Sequence, residues 1–301
     1  MRVVHQRLNA TVFGDLDVLM DNFVRVTDHL GARAADPRRA VRLWPAADGR
    51  PLARDAGGAP WRTLAFIDGA RSSHRFDGPA QAAAAATAAA RLVADLADLA
   101  PPPAEVIPGF HDVPRRLEAL DRARSEDTHG RAAGCAADTH AVLAHAGIAE
   151  EVAAARRDGR LPQRTVHNDT KADNLLFDDA TGEALCLVDL DTVGPGTVLF
   201  DVGDLVRSGA IRGREDADAG AISVDHAIAA AVLDGYAGAG FLTAGEGDLL
   251  ALAGPLMALE AAARFLTDHL QGDAYFRVDG PGHNLRRARN QLRVLELLLD
   301  A

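Results

Sequence analysis

The sequence predicts an α+β protein of two lobes: a small α/β lobe over residues 1–69 and a larger, mainly helical lobe over residues 70–301. Three observations predict it. The first seventy residues read strand, helix, strand, strand. After "FIDGA" (Phe66–Ala70) the character changes and helix-like stretches dominate. A short β region, Thr165–Asp191, then interrupts the helices. At 301 residues and 48% hydrophobic, the chain is long enough to bury a sizeable core.

Taken in order, "RVVHQRLN" alternates and carries β-branched residues, so it reads as a strand. In "GDLDVLMDNFVRVTDHLGA" the residues Leu16, Leu19, Met20, Phe23, Val24 and Val26 share one helical face, and Gly31 suits the C-terminal cap. Val41–Trp44 and Trp61–Ile67 read as strands flanking a region rich in Gly, Pro and Asp. Helices are expected over about 78–100, 114–123 and 130–157, with "APPPAEVIPGFHD" as a proline-rich connector. The alanine run "AQAAAAATAAARL" belongs to the first of them. "NLLF", the turn "DDATGE" and "ALCLVD" read as a hairpin. Beyond residue 199, helices are expected over about 202–209, 222–239, 244–271 and 283–300. "AIRGREDADAGAISVDH" reads as a solvated loop between two of them.

The net charge is −11, from 43 acidic against 32 basic side chains. Nucleic-acid binding through a broad basic face is therefore not expected, because phosphate neutralisation needs clustered Lys and Arg. Cys135 and Cys186 lie in apolar surroundings without metal-ligand spacing and read as reduced core thiols. The start "MRVVHQRLNATVF" lacks a secretory pattern, and no window of about 18 unbroken apolar residues is free of charge. A cytoplasmic protein without a membrane span is the expectation.

The hairpin region carries polar residues that a structural hairpin does not need. "VHNDTKADNLLF" supplies His167, Asp169, Lys171 and Asn174, and "LVDLDTVGPG" supplies Asp189 and Asp191. The spacing H-x-D-x-x-x-x-N, then about fifteen residues, then an apolar strand ending in Asp, is the arrangement used by kinases of the protein-kinase type. Phosphoryl transfer needs a carboxylate beside the acceptor hydroxyl, which is Asp169. It needs divalent metal held by hard oxygen ligands, for which Asn174 and Asp189 stand at the ends of paired strands. It needs positive charge near the γ-phosphate. Lys171, two residues after the base, is the only lysine among the 32 Lys and Arg side chains. A compact ammonium touches one phosphate oxygen in a crowded site, where a planar guanidinium demands a fork-shaped partner.

Without the upstream loop, Asp189 and Asp191 would read as turn formers. His167 fits a structural role in holding the loop. Asp201 and Asp204 in "TVLFDVGDLVRSG" either cap a helix or, in the case of Asp201, brace the backbone amides of the catalytic loop.

These residues carry a resemblance. The stretches "QRLNATVFGDLDVLMDNFVRVTDHL", "FIDGA", "IPGFHD", "LPQRTVHNDTKADNLLFDDATGEALCLVDLDTVGPGTVLFDVGDLVR", "RFLTDHLQGDAYF" and "GHNLRRARNQ" resemble the aminoglycoside phosphotransferase and choline kinase superfamily, and most of all its N-acetylhexosamine 1-kinase type. The likeness spans nearly the whole chain. It implies a protein-kinase-like two-lobe fold and an ATP- and Mg2+-dependent small-molecule kinase of carbohydrate metabolism. The acceptor would be a sugar or amino sugar, phosphorylated at the anomeric hydroxyl. By position Asp169 is then the base, Asn174 and Asp189 the metal ligands, and Phe66, Ile67, Asp68 and Gly69 the adenine-binding hinge. Arg264 and Tyr275 are the sugar-pocket residues.

Two departures accompany it. No Gly-rich loop precedes "RVVHQRLN", which corresponds to the third strand of the family. Either the true start lies upstream or the lobe is rebuilt. A sheet edge left exposed in this way invites weak ATP binding and association through that edge. The usual third-strand lysine is also absent. Arg7 is the expected phosphate-contacting residue, with Gln6 as the alternative if the register slips by one, and Asp21 as a partner for Arg7. Two further functions stay open. One is the same chemistry on an aminoglycoside, an amino alcohol or a sugar-like secondary metabolite. The other is a kinase-fold module that binds nucleotide or a partner without catalysis.

Overall fold

The computed structural model describes residues 2–300; residues 1 and 301, the outer ends of the two expected lobes, lie outside the described residues. In chain order the small lobe comprises β1 (Val3–Arg7), α1 (Ala10–Phe13), α2 (Leu16–Arg33), β2 (Leu43–Trp44), β3 (Ala53–Arg54) and β4 (Pro60–Ala65). β4 is the centre of an antiparallel sheet, with β1 on one side and β2 and β3 on the other. The β1 register pairs Gln6 with Arg62 and Arg7 with Trp61.

Leu16, Leu19, Met20, Phe23 and Val26 bury the predicted face of α2, and Asp15 caps its start by accepting from the amides of Asp17 and Val18. The helix does not stop at Gly31. It continues to Arg33, whose guanidinium is held by Asp98 at 2.6 Å, and turns away before Pro37. The expected strands are shorter than drawn, because pairing is confined to Leu43–Trp44 and Pro60–Ala65. Pro60 opens its strand, a position where a missing N–H is tolerated.

The larger lobe continues with β5 (Ala70–Arg71), α3 (Pro79–Asp95), α4 (Val113–Glu126), α5 (Ala136–Ala144), α6 (Ala146–Arg157), β6 (Arg164–Val166), β7 (Leu175–Asp178), β8 (Ala184–Leu187), β9 (Gly194–Gly196) and α7 (Val198–Gly209). The chain ends with β10 (Ile211–Arg212), β11 (Ser223–Val224), α8 (His226–Ala237), α9 (Ala244–Leu249), α10 (Ala253–Leu270) and α11 (His283–Leu299). The alanine run is a packing device. Ala82, Ala85, Ala86, Ala89 and Ala90 are fully buried, and α8 approaches so closely that a Cβ on Gly235 would meet the Ala83 carbonyl at 2.8 Å. The expected helix over 130–157 is broken at His145, and the expected solvated loop after 209 contains the β10–β11 ribbon.

β7 and β8 form the predicted hairpin, with Asp178 accepting from the amides of Ala180 and Thr181 to fix its turn. β5 adds to the hairpin edge and β6 pairs with β9. Both cysteines are buried and free; burial pushes the Cys186 thiol up to about 12. The segment Ala244–Leu270 is long and apolar enough by composition to cross a bilayer, yet 78% of that window is buried inside the protein. One continuous hydrophobic core runs from Leu8 and Phe23 in the small lobe to Leu295 in α11. Polar clasps join the lobes as well: Arg38 to Asp178 at 2.5 Å, Arg39 to Glu183 at 3.0 Å, and the Asn22 amide to both backbone groups of Ala104.

Candidate active site

The site is built on the loop from Val166 at the end of β6 to Asn174 at the start of β7. Asn168 adopts a left-handed backbone, φ 64°, which turns the next residue, Asp169, out of the fold. That turn is over-determined. Asp201, fully buried, accepts from the amides of His167 at 3.0 Å and Asn168 at 2.8 Å. Burial pushes its carboxyl up to about 6, against the pull of those two N–H groups. Thr197, not Asp201, stands at the N-cap of α7, so Asp201 is the brace of the loop. His167 stitches the loop to the hairpin: its Nδ1 accepts from the Asp169 amide at 3.2 Å and its Nε2 donates to the Val188 carbonyl at 3.0 Å, which fixes the neutral tautomer.

A second brace comes from His111 of "IPGFHD". Its two ring nitrogens face two acceptors, the Glu260 carboxylate at 2.7 Å and the Asn168 carbonyl at 2.8 Å. Both nitrogens must donate, so the ring is an imidazolium. Burial pulls its pKa down, but the Glu260 charge and the two hydrogen bonds more than offset that and leave it raised.

At the loop's tip, the Asp169 carboxylate accepts from the Lys171 ammonium at 2.8 Å and the Asn174 amide at 3.0 Å. Burial raises the Asp169 pKa, the nearby Asp204 carboxylate raises it further, and Lys171 opposes both. Asn174 also donates to the Asp169 carbonyl at 2.7 Å, so its nitrogen is committed and its side-chain oxygen is left to act as a ligand. The Val188 amide donates to the Asn174 carbonyl at 2.8 Å and brings the end of β8 alongside. There Asp189 is exposed, in a left-handed conformation of φ 61°, and makes no hydrogen bond among the described residues. An amide oxygen and a carboxylate form a hard donor set that suits a divalent cation such as Mg2+ or Ca2+. Asp191, two residues on, is held by Arg62 and is not free to join them.

Thus Asp169, Lys171, Asn174 and Asp189 are brought together. Phe66–Gly69 follows β4 as an exposed connector; Arg2 stacks on the Phe66 ring at 4.1 Å and pairs with Asp68, while Gly69, φ 67°, accepts from the Asp179 amide. Arg7 departs from expectation. Strand alternation leaves it exposed, paired across to Trp61, while Gln6 turns inward and accepts from Arg62 at 2.9 Å. Asp21 pairs with Arg25 instead of Arg7. Arg264 and Tyr275 do meet, 6.0 Å from guanidinium to ring, in a cluster with Phe110, Phe276 and Glu260. Tyr275 is 65% exposed.

Two groups escaped the sequence reading. Arg62 is a lone cation on the inward face of a strand, in step with buried Leu64. Glu260, the partner of His111, is a lone acid inside the apolar run of α10, and such a residue signals a buried ion pair. Asp204, expected only as a helix cap, is held by Arg207 at 2.6 Å and lies close enough to Asp169 to raise its pKa.

Residues 11–242 match the model of the phosphotransferase enzyme family. The chain belongs to that family. Solved structures agree on the fold. An aminoglycoside phosphotransferase from Alicyclobacillus acidocaldarius superposes with a TM-score of 0.58 at 13% identity, covering 99% of this chain and 84% of its own. A microcompartment-associated aminopropanol kinase gives 0.58 at 15% identity, with coverage of 99% and 84%. A choline kinase from Streptococcus pneumoniae gives 0.55 at 11% identity, with 99% and 86%. The chain is accordingly a phosphotransferase, built on the fold that these kinases share.

Proposed function

We propose that the protein is an ATP- and Mg2+-dependent kinase for a sugar hydroxyl, with the anomeric hydroxyl of an N-acetylhexosamine as the first candidate. One observation carries the reading: the Asp169 carboxylate lies between the Lys171 ammonium and the Asn174 amide, with Asp189 on the adjoining strand. The acceptor hydroxyl meets Asp169, which orients it and takes its proton as the acceptor oxygen bonds to the γ-phosphorus. The bond from that phosphorus to the β-phosphate oxygen breaks, and ADP leaves. Lys171 moves from Asp169 to the γ-phosphoryl oxygens as charge redistributes there. Asn174 and Asp189 would hold the metal, which would supply neutralisation of the phosphates. Phe66–Gly69 receives the adenine, and Arg264 and Tyr275 border the acceptor. An amicoumacin kinase of similar fold, with a TM-score of 0.54 and 14% identity, is described in complex with AMP-PNP and Ca2+, in keeping with nucleotide and divalent metal here.

A second reading, a kinase for an amino alcohol or aminoglycoside, is favoured by the substrates for which the similar structures are named. ADP formation from ATP with Mg2+ separates the two, measured against N-acetylhexosamines, free sugars, aminoglycosides, aminopropanol and choline. The expected result is turnover on an N-acetylhexosamine that Asp169→Asn abolishes. Turnover confined to cationic acceptors replaces the substrate, and turnover that survives Asp169→Asn removes the mechanism.

A further inference from the structure

Strands β6 and β9 send two loops out of one ladder. Val166, the last residue of β6, stands opposite Gly194, the first residue of β9. The loop after Val166 carries Asp169, and the loop before Gly194 carries Asp189. Backbone pairing stops at Val166 and Gly194, so it does not itself fix how far apart the two carboxylates stand.

Side chains take over where the ladder stops. The Thr192 hydroxyl donates to the His167 carbonyl at 2.8 Å. The Asn168 side-chain amide donates to the Thr192 carbonyl at 3.0 Å. The His167 ring donates to the Val188 carbonyl at 3.0 Å. His167 thus grips the second loop on both sides of Asp189, through its ring before it and through its carbonyl after it. Asp189 depends on such a frame. Its backbone is left-handed, φ 61°, a conformation that a residue other than glycine keeps only where its surroundings impose it.

The Asn168 amide is confined as well. Asn168 is 8% exposed, and its nitrogen must face the Thr192 carbonyl because a carbonyl only accepts. On its other side a Cβ on Gly196 of β9 would meet the Asn168 Oδ1 at 2.5 Å. A glycine in β9 therefore leaves the room that this amide occupies.

The spacing matters to the chemistry. A small divalent cation demands near-ideal geometry from its oxygen ligands, so a shift of Asp189 against Asn174 of a few tenths of an ångström, on the order of the tolerance of such sites, is felt in metal affinity. The base has to meet the acceptor hydroxyl in line with the phosphate that the metal orients. Both requirements converge on the gap between the two loops, and Thr192 with Asn168 spans that gap in both directions.

We propose that Thr192 is a positioning residue for phosphoryl transfer, which together with Asn168 sets the placement of Asp189 relative to Asp169. This rests on the kinase reading above and adds to it the part that joins the base to the metal ligand.

The test compares Thr192→Val, which keeps the shape and loses the hydroxyl, with Thr192→Ser, which keeps the hydroxyl. Asn168→Gly withdraws the amide and tolerates the left-handed backbone of φ 64°. Turnover on the acceptor identified by the panel above gives kcat, the ATP KM and the Mg2+ concentration for half-maximal rate. Titration of Mn2+ in the presence of AMP-PNP, followed by water-proton relaxation, reads metal on the protein without turnover, with Asp189→Asn as control. Thr192→Val and Asn168→Gly are each expected to weaken Mn2+ binding and to raise the half-maximal Mg2+ by roughly tenfold. Their kcat falls, and the ATP KM at saturating metal changes little. Thr192→Ser keeps the wild-type values. A lowered melting temperature in Thr192→Val and Asn168→Gly with metal binding and kcat unchanged makes the clamp a folding contact and overturns the proposal. Equal losses in Thr192→Ser and Thr192→Val overturn the role of the hydroxyl. Mn2+ binding that Asp189→Asn leaves untouched removes the metal site of the kinase reading, and the proposal with it.

Discussion

The Arg62 guanidinium reaches from the centre of the small-lobe sheet to both carboxylate oxygens of Asp191, one contact being 2.9 Å, in a site where Arg62 is 2% exposed. The same side chain donates through Nε to Gln6 and lies over the Phe23 ring at 4.0 Å. One residue thereby joins β1, β4, α2 and the loop that carries Asp189. Burial raises the Asp191 pKa, and Arg62 opposes the shift.

Removing one partner of such a pair leaves an uncompensated buried charge, at a cost of about 3–5 kcal/mol. Arg62→Met is therefore expected to lower stability by that amount in urea unfolding and to raise the metal concentration needed for half-maximal activity. Arg62→Met combined with Asp191→Leu should recover much of the stability, because an apolar pair of similar volume avoids the desolvation penalty, but not the metal affinity. Normal metal dependence in the double variant would show that Arg62 acts on folding alone.

Lys171 is the sole lysine side chain, and it is 37% exposed at the mouth of the site. An amine-selective acylating reagent therefore has one side-chain target besides the chain's α-amino group. Modification of Lys171, read by peptide mass spectrometry, should abolish turnover, and ATP with metal should protect it. Lys171→Met should lower kcat by roughly a hundredfold or more with little change in melting temperature. Lys171→Arg should fall between, since a fork-shaped guanidinium grips Asp169 more rigidly than an ammonium. Full activity after acylation would remove Lys171 from the mechanism.

The catalytic loop and the hairpin were legible because their information is local. Asp169, Lys171, Asn174 and Asp189 lie within about twenty residues, and a hairpin turn sets their relation. The Asp201 brace was one of two readings open in the sequence, but the His111 brace was not legible. His111 lies 57 residues from the carbonyl it holds and 149 from Glu260, and no spacing rule links them. Arg7 was chosen over Gln6 for its charge; a one-residue register decides which of the two faces inward, and the pairing of Gln6 with Arg62 settles it. Gly31 was read as a stop because glycine favours C-termini, but the Arg33–Asp98 contact carries the helix a further half turn. α11 was expected only as a helix over about 283–300, and a sequence does not reveal which of its polar side chains are buried without a partner.

Arg38 and Asp178 tie the small lobe to the hairpin turn at 2.5 Å. The amides of Thr181 and Ala180 and the Arg38 guanidinium hold the Asp178 carboxyl at about 2, well below its usual range. A carboxylate depressed in the folded state contributes stability above its unfolded value of about 3.9, and the contribution is lost as pH falls toward 2. Asp178→Asn removes that contribution. The gap in urea midpoint between wild type and Asp178→Asn should be open at pH 6 and close between pH 4 and 2. A gap that stays constant over that window would show that the clasp does not couple to folding.

His111 gives the opposite sign. Its imidazolium donates to Glu260 and to the Asn168 carbonyl, so its pKa lies above the ordinary histidine value of about 6.5. A raised histidine contributes stability that is fully present below the unfolded pKa and is lost as pH rises through the folded one. His111→Gln lacks the charge and keeps a single amide donor group. Its stability deficit relative to wild type should be largest near pH 6 and shrink as pH rises toward 9. Activity follows a related logic, because the Asn168 carbonyl that His111 holds is joined directly to Asp169. The variant's kcat should be reduced at pH 6 with the ATP KM little changed, and the wild type should converge on it at alkaline pH. A deficit equal at pH 6 and pH 9 would mean that His111 is neutral in the fold and that another group protonates the Glu260 side of the pair.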